Sequence, residues 1–319
     1  MRLTAIDSLQ RGLTNLLANW QLVIMHFAQT LLVSLLLVAG VVPIVLVLGV
    51  GTFRAVLGTG FDGGGPPLDA LDDLMARMVE STGPLLLATL AALCVWTVAL
   101  LVFAYFQAGI FGVLAEAERK SALPRAPRVA FRSFSFALFR RSTDEFTWRF
   151  FWLVNLFMVI ASIPMVVFGG VVMMAVGLAT RESLGAAFAT GCLGGAAVVL
   201  LAVASSLWWQ LAMAAAASGP LGLWQAVGRG WSVLLRRMGA VLVLVLLAIV
   251  VGITMAVVFV PLGLVIEVVV RDSLWGYVTA QVAMTFCQSL LSAVLSVAFA
   301  GALVALVRGE ISTEEIQMA

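Results

Sequence analysis

Six long apolar segments dominate this sequence and limit the folds that it can adopt. Each is longer than the roughly 20 residues that an α-helix needs to cross the hydrocarbon core of a bilayer. Hydrophobic residues make up 63% of the 319-residue chain and charged residues only 11%, whereas about 25% are charged in soluble domains. The sequence therefore predicts an all-α, polytopic membrane protein with six transmembrane helices. The segments are Leu22–Val50, Pro84–Ala115, Phe150–Ala179, Leu184–Ala217, Ala240–Val270 and Trp275–Val307.

The basic residues indicate how these segments are oriented. All eighteen Lys and Arg residues can be placed outside the segments, fourteen on one side and four on the other. Loops rich in Lys and Arg stay in the cytoplasm, so we expect both termini there. The charges therefore predict a multi-pass membrane protein whose N- and C-termini are cytoplasmic. The small formal net charge of +2 comes with basic residues gathered on one side of the membrane, so nucleic acid is not an expected partner.

One pattern occurs three times in strict register and indicates an internal repeat. An arginine is followed by a small, a large apolar and a hydroxyl residue, then by leucine six and proline thirty-two positions after the arginine. We expect three helical hairpins in one membrane domain, covering approximately residues 1–118, 119–217 and 218–319. The three arginines are Arg11, Arg132 and Arg229, and the three prolines are Pro43, Pro164 and Pro261.

Each repeat begins with a segment that reads as an amphipathic helix. In the first, one face is apolar and the opposite face is polar. The apolar face carries Leu9, Leu13, Leu16, Leu17 and Trp20, and the polar face carries Gln10, Arg11, Asn15 and Asn19. Such helices lie in the membrane interface with basic residues toward anionic headgroups. We therefore expect the basic residues of these segments to contact lipid headgroups or a partner protein. They are Arg11, Arg132, Arg140, Arg141, Arg229, Arg236 and Arg237.

Two further features are expected along each repeat. A bend should follow ten positions after the arginine, at Gln21, Ser142 and Gly239, with Ser142 capping the next helix. The prolines fall in the outer half of the membrane, where each removes a backbone hydrogen bond and kinks its helix. Such a kink can act as a hinge or binding site. A fixed bend is the favoured interpretation, because prolines are common in membrane helices.

The polar residues of the chain match no catalytic or metal-binding motif. His26 is the only histidine, and the three cysteines lack a metal-ligand spacing, so no metal, haem or other cofactor is expected. The intramembrane residues His26, Gln107 and Gln210 could line a polar path. They are better explained as side chains that hydrogen-bond between helices. Near the basic side, four acids are expected to form ion pairs with neighbouring arginines. They are Glu116, Glu118, Asp144 and Glu145.

The arginine-bearing segments that lead into long proline-containing helices resemble a loose group of six-helix bacterial proteins. This group includes the membrane domain attached to some glycerophosphodiester phosphodiesterases. The similarity is strongest over Gln107–Asn155 and Ala212–Leu246 and consists mainly of a pattern of small residues and arginines. The resemblance implies a three-hairpin fold and a link to lipids or the cell envelope. It implies no enzymatic activity, because this chain contains no phosphodiesterase domain.

The sequence is compatible with two main functions. The favoured one is a non-catalytic scaffold or accessory subunit of a membrane complex, with lipids and other membrane subunits or a second copy of this chain as partners. The alternative is a permease for lipids or hydrophobic solutes, with or without a separate ATPase. The segments contain no charged relay, which weighs against an ion-coupled pump. A membrane-embedded lipid enzyme is least favoured, because the sequence contains no reactive cluster.

Overall fold

In a computed structural model, the protein is helical nearly throughout the residues that the structure describes, which are 4–48, 82–121, 127–179, 183–269 and 273–318. These ranges contain eight α-helices and no β-strand. A short 3-10 turn, Arg128–Phe131, precedes the fourth α-helix. In chain order the helices are α1 (Ala5–Ala18), α2 (Gln21–Leu48), α3 (Thr82–Lys120), α4 (Phe136–Ala179), α5 (Leu184–Ser218), α6 (Leu223–Arg236), α7 (Met238–Val269) and α8 (Leu274–Met318).

Six of these helices, α2, α3, α4, α5, α7 and α8, are long and apolar enough to cross a membrane. By length and composition, these helices confirm the prediction of a multi-pass membrane protein with six apolar helices. Some helices extend beyond the predicted segments. α4 begins at Phe136 rather than at Phe150, because a helix continues through polar residues once their side chains can reach water.

The chain divides into two compact units. The larger unit consists of Met1–Phe27 and Ala104–Ala319, and the smaller of Ala28–Phe103. Within the smaller unit, α2 and α3 approach closely at Gly40, where a Cβ atom would lie 3.4 Å from Val95 Cγ1. Within the larger unit, most arginines lie at one end, which we call the basic end. It comprises residues 5–21, 118–121, 127–150 and 219–238.

Helix α8 is the central helix of the larger unit. In the most apolar stretch of α8, 61% of the residues are buried. In the corresponding stretch of each other candidate span, at most 17% of the residues are buried. The buried part of α8, Ala293–Val307, contacts α1, α5 and α7. The alanine-rich run Leu211–Ala217 of α5 is also buried, because small residues let helix backbones approach closely. The other spans expose mainly aliphatic residues along much of their length, which suits surfaces that face lipid.

Two helix breaks occur near the predicted bends, each two residues earlier. The break between α1 and α2 lies at Asn19 and Trp20, and that between α6 and α7 at Arg237. The predicted positions themselves are helical, with Gln21 opening α2 and Gly239 lying inside α7.

For the second repeat the predictions of a bend and of an amphipathic helix are wrong. Ser142 lies inside the continuous helix α4, packed against Gly112 of α3, so it caps no helix. Arg132 follows the 3-10 turn with an extended backbone (φ −68°, ψ 105°). The reason lies in α1, because the Asn19 side chain accepts hydrogen bonds from the backbone N–H groups of Ser133 and Phe134. That contact holds the segment outside a helix.

Each of the three repeated prolines lies inside a long helix, and their structural equivalence stays a prediction. Pro43 lies inside α2, Pro164 inside α4 and Pro261 inside α7, and none of the three helices is interrupted there. Each proline leaves the carbonyl four residues earlier without its helical donor. The predicted kinks stay a prediction.

Candidate functional site

Helices α1 and α6 at the basic end have the same construction. Each contains 14 residues, with Arg11 and Arg229 at the seventh position. Each buries a stripe in which small or polar residues alternate with apolar ones, and each exposes a separate apolar stripe. The buried residues are Ala5, Ser8, Gly12, Asn15 and Leu16 in α1 and Ala226, Val227, Gly230, Val233 and Leu234 in α6. The exposed stripes are Ile6, Leu13 and Leu17 in α1 and Trp224, Trp231 and Leu235 in α6.

Each of these helices therefore has three surfaces, whereas the sequence predicted two. Asn15 and Arg11, assigned to a headgroup-facing polar surface, turn into the protein instead. The small and polar residues pack on neighbouring helices together with Leu16, Val227 and Leu234, and the remaining apolar stripe is exposed. The third surface carries exposed polar residues, which are Asp7 and Gln10 in α1 and Gln225 and Arg236 in α6.

A glycine at the same position of each helix permits this packing. A Cβ atom on Gly12 would lie 2.5 Å from the carbonyl oxygen of Ala298 and 2.6 Å from the amide nitrogen of Ala302, both in α8. A Cβ atom on Gly230 would lie 2.7 Å from the amide nitrogen of Ala212 in α5. Because both obstacles are backbone atoms, they cannot move aside as a flexible side chain would.

A buried ion pair fixes α1 to the end of α3. Arg11 Nε and Nη2 donate to Glu118 Oε2 at 3.0 and 2.7 Å, and Nη2 also donates to the carbonyl oxygen of Ser121 at 2.8 Å. The side chains of Arg11 and Glu118 are only 11% and 3% exposed. A buried charge is tolerated when it is paired and hydrogen-bonded, so α1 is held at a defined position.

Two asparagines of α1 extend this attachment. Asn15 Nδ2 donates to the carbonyl oxygen of Leu114 in α3 at 3.3 Å. Asn19 Nδ2 donates to the carbonyl oxygen of Phe131 at 2.8 Å, while Asn19 Oδ1 accepts from Ser133 and Phe134 at 2.9 and 2.8 Å. Both asparagines are fully buried. Helix α1 thus determines the path of the connection between α3 and α4.

A second buried ion pair holds the junction between α6 and α7. Arg237 Nε donates to Glu310 Oε2 in α8 at 2.7 Å, and the side chains are 13% and 10% exposed. Arg236 lies 3.7 Å from the other carboxylate oxygen. No sequence pattern predicted a role for Glu310. Its only signal is a carboxylate soon after the last apolar segment, followed by Glu314 and Glu315, and such residues are usually solvated.

The predicted ion pairing is confirmed for Glu116 and Glu118, and it stays a prediction for Asp144 and Glu145, which are exposed in α4. Glu118 pairs with Arg11, as described, and Glu116 pairs with Arg119 and Lys120 of its own helix. The two interactions differ in burial. Arg119 is 65% exposed, so that pair contributes little to stability.

The seven arginines expected to contact lipid or a partner fall into two groups. Arg11 and Arg237 are occupied in the interior ion pairs, and their contact with headgroups or a partner stays a prediction. Arg229 is half-buried in α6. For the other five arginines, contact with lipid or a partner stays a prediction. The exposed members are Arg132, Arg140, Arg141 and Arg236.

The predicted intramembrane polar residues lie within three candidate spans. His26 is half-buried in α2, Gln107 is buried in α3, and Gln210 is half-buried in α5. Across the described ranges no group of three or more His, Cys, Asp or Glu side chains could hold a metal ion. The three cysteines are exposed on the span surfaces.

A groove of about 190 Å³ lies between α4 and α5. Its walls are mostly apolar and include Val154, Phe157 and Pro164 of α4 and Trp209 of α5. Phe157 packs edge to face on Trp208, with ring centroids 5.0 Å apart. Trp208 in turn contacts the Trp231 ring of α6 at 5.0 Å. An aromatic chain thus connects the groove to the basic end.

The architecture at the basic end therefore combines two docked helices, two buried ion pairs and several exposed arginines with an adjacent apolar groove. This chain matches no protein-family model, no curated protein and no solved structure.

Proposed function

We propose that this protein is a non-catalytic scaffold or accessory subunit of the bacterial inner membrane. Its basic end would contact anionic lipid or a partner membrane chain at the cytoplasmic surface. The observation that carries the proposal is the fixed attachment of α1 and α6, whose apolar stripes face outward beside exposed arginines. A surface that is held by buried ion pairs and tight glycine contacts is suited to binding rather than to large movement.

The internal arrangement of the basic end supports a repeated, three-hairpin build. Helices α1 and α6 match in length, in the position of their arginine and in the glycine that touches a neighbouring backbone. Each precedes a proline-containing helix, α2 or α7. The second repeat differs, since Asn19 of the first repeat holds its leading segment in an extended form.

The proposed orientation can be tested by labelling. Ala137 at the start of α4 is exposed, whereas Ser121 is buried and hydrogen-bonded to Arg11, so Ala137 is the better reporter. In a variant without native cysteines, we expect Ala137→Cys to react with an impermeant thiol reagent only after the cells are opened. Gly64→Cys, in the first outer loop and outside the described residues, should react in intact cells. Reaction of both positions from one side would contradict the proposed topology.

The role of the exposed arginines can be tested with a quadruple variant, Arg132→Gln, Arg140→Gln, Arg141→Gln and Arg236→Gln. Each basic residue near an anionic surface contributes about 1 kcal/mol, so we expect a loss of well over tenfold in anionic lipid or partner protein retained on purification. The buried ion pair Arg11–Glu118 is untouched, so the fold should persist. Mass spectrometry of the purified protein in mild detergent measures both outcomes.

The permease remains the second candidate, and the groove beside Pro164 is the observation that favours it. A matched variant, Gln107→Leu with Gln210→Leu, removes polar groups from the spans and leaves every arginine in place. If proteoliposomes move a fluorescent phospholipid between leaflets, and only the glutamine variant abolishes that movement while remaining folded, the scaffold proposal is rejected. Retention of lipid and partner by the glutamine variant supports the scaffold.

A further inference from the structure

We propose that the groove between α4 and α5 holds one acyl chain of an anionic phospholipid, whose phosphate contacts Arg149 at the basic end of α4. The inference rests on the proposed function only in placing the basic end in a leaflet that contains anionic lipid. It applies equally to a scaffold and to a permease. It assigns a defined lipid site, in addition to the general headgroup contacts of the exposed arginines.

The shape of the groove suits a single hydrocarbon chain. Val154, Phe157 and Pro164 form a buried floor, whereas Ala161 and Ala202 are exposed at the rim. The volume of about 190 Å³ is below the roughly 300–1,000 Å³ of sites that enclose a whole small molecule. The groove therefore has room for part of a lipid, and the headgroup must remain outside.

The chemistry of the groove also favours a hydrocarbon. All its lining residues belong to two candidate membrane spans, Phe136–Gly177 and Phe188–Ser218. Ser205 Oγ donates to the carbonyl oxygen of Ala202 within its own helix, so that hydroxyl is already partly satisfied. In a bilayer, the molecule that meets a laterally open apolar groove is a lipid chain.

The depth of the groove follows from the aromatic residues of α4. Trp148 and Trp152 are 62% and 47% exposed, and exposed tryptophans on a membrane helix are typical of the headgroup level. Arg149 lies between them, and the groove begins at Val154, about 7.5 Å further along the helix at 1.5 Å per residue. An acyl chain in the groove therefore has its phosphate at the depth of Arg149, whose long side chain can extend toward it.

Arg149 is suited to hold that phosphate. Its side chain is half-buried, and Nη1 donates to the carbonyl oxygen of Leu221 at 3.2 Å, which fixes the guanidinium beside α6. A guanidinium carries five N–H donors and binds phosphate through more than one of them. The wall of the groove is fixed as well, because the Trp208 indole N–H donates to the carbonyl oxygen of Val227 in α6 at 2.9 Å.

The test compares two substitutions at neighbouring positions of α5. Ala202→Phe fills the rim of the groove, and Ala204→Phe adds the same ring at an exposed residue that does not line it. Each protein is reconstituted with phosphatidylglycerol and phosphatidylcholine and extracted in mild detergent, and native mass spectrometry counts the retained lipids. We expect the unchanged protein and Ala204→Phe to retain phosphatidylglycerol, and Ala202→Phe to retain it about tenfold less. Equal thermal unfolding of the two variants checks their folding.

A third variant, Arg149→Gln, tests the headgroup contact. The acyl site is intact there, so we expect a lipid to be retained while the preference for phosphatidylglycerol over phosphatidylcholine falls about tenfold, as for loss of one charge-assisted contact. The inference is overturned if Ala202→Phe retains as much lipid as Ala204→Phe, if the unchanged protein retains none, or if Arg149→Gln keeps the full preference.

The outcomes separate this inference from the proposed function. If the quadruple arginine variant keeps its partner proteins and its anionic lipid while Ala202→Phe loses the bound phosphatidylglycerol, the scaffold surface is wrong and the lipid site stands. If instead the quadruple arginine variant loses its partner proteins and its anionic lipid while Ala202→Phe keeps the bound phosphatidylglycerol, the lipid site is rejected and the scaffold surface is supported.

Discussion

Replacing Arg11 with alanine is expected to lower the free energy of unfolding by about 3–5 kcal/mol, because it leaves the Glu118 carboxylate buried without its cation. The Glu118 side chain is only 3% exposed and accepts two hydrogen bonds from Arg11. The loss can be measured by chemical unfolding in mild detergent, followed by tryptophan fluorescence. Helix α1 should also become accessible to protease, since the same arginine connects it to Ser121.

The neighbouring surface pair provides the control for this prediction. Arg119→Ala removes an arginine from an exposed pair with Glu116, and we expect a loss below about 1 kcal/mol. A double variant, Arg11→Met with Glu118→Leu, replaces the buried pair by apolar residues and should recover most of the stability. If Arg11→Ala costs no more than Arg119→Ala, the ion pair does not hold α1 in place.

Two alanine substitutions in α6 are expected to change stability in opposite directions. Gly230→Ala places a methyl group against the backbone of Ala212, where a Cβ atom would lie 2.7 Å from the amide nitrogen. Overpacking of this kind costs about 1–3 kcal/mol. Gly228→Ala, two residues earlier, has no atom within 4 Å, and an exposed helical glycine replaced by alanine stabilises by about 0.5–1 kcal/mol.

Thermal unfolding of the two single variants in detergent measures this difference. Because both carry the same chemical change in the same helix, helix propensity cancels between them, and the remaining difference reports the contact between α6 and α5. Gly12→Ala in α1 should behave like Gly230→Ala, since its obstacles are the backbone atoms of Ala298 and Ala302. A destabilisation of equal size at Gly228 and Gly230 would show that α6 is not docked on α5.

The two docked helices also differ in their outward charge. Helix α1 uses its arginine in the interior, and an acid, Asp7, is exposed on its polar surface. Helix α6 keeps Arg236 at the surface, with a side chain 58% exposed. We therefore expect α6 to contribute more than α1 to any contact with anionic lipid. The quadruple arginine variant accordingly includes Arg236 and omits Arg11.

The sequence by itself determined the number of apolar helices and the register of the repeated arginines and prolines. Span detection succeeds because hydrophobicity over some 20 residues is a local property. The ion pairing of Glu116 and Glu118 could be expected for a similar reason, since both carboxylates lie in a stretch crowded with arginines. Which arginine each one pairs with was decided by folding, because Arg11 lies more than a hundred positions away from Glu118 in the chain.

Only the tertiary structure decided which side of α1 and α6 faces the protein. Periodicity identified an apolar stripe, and in a soluble protein that stripe would be the buried one. Here Leu13 and Trp231 remain exposed, while Leu16 and Leu234 of the same apolar stripes are buried. In a membrane, lipid accommodates apolar side chains as well as protein does, so small residues and hydrogen bonds help to decide where helices associate. Apolarity therefore identifies the spans of this protein, whereas Gly12, Gly230 and the buried ion pairs decide which apolar residues of α1 and α6 face the interior.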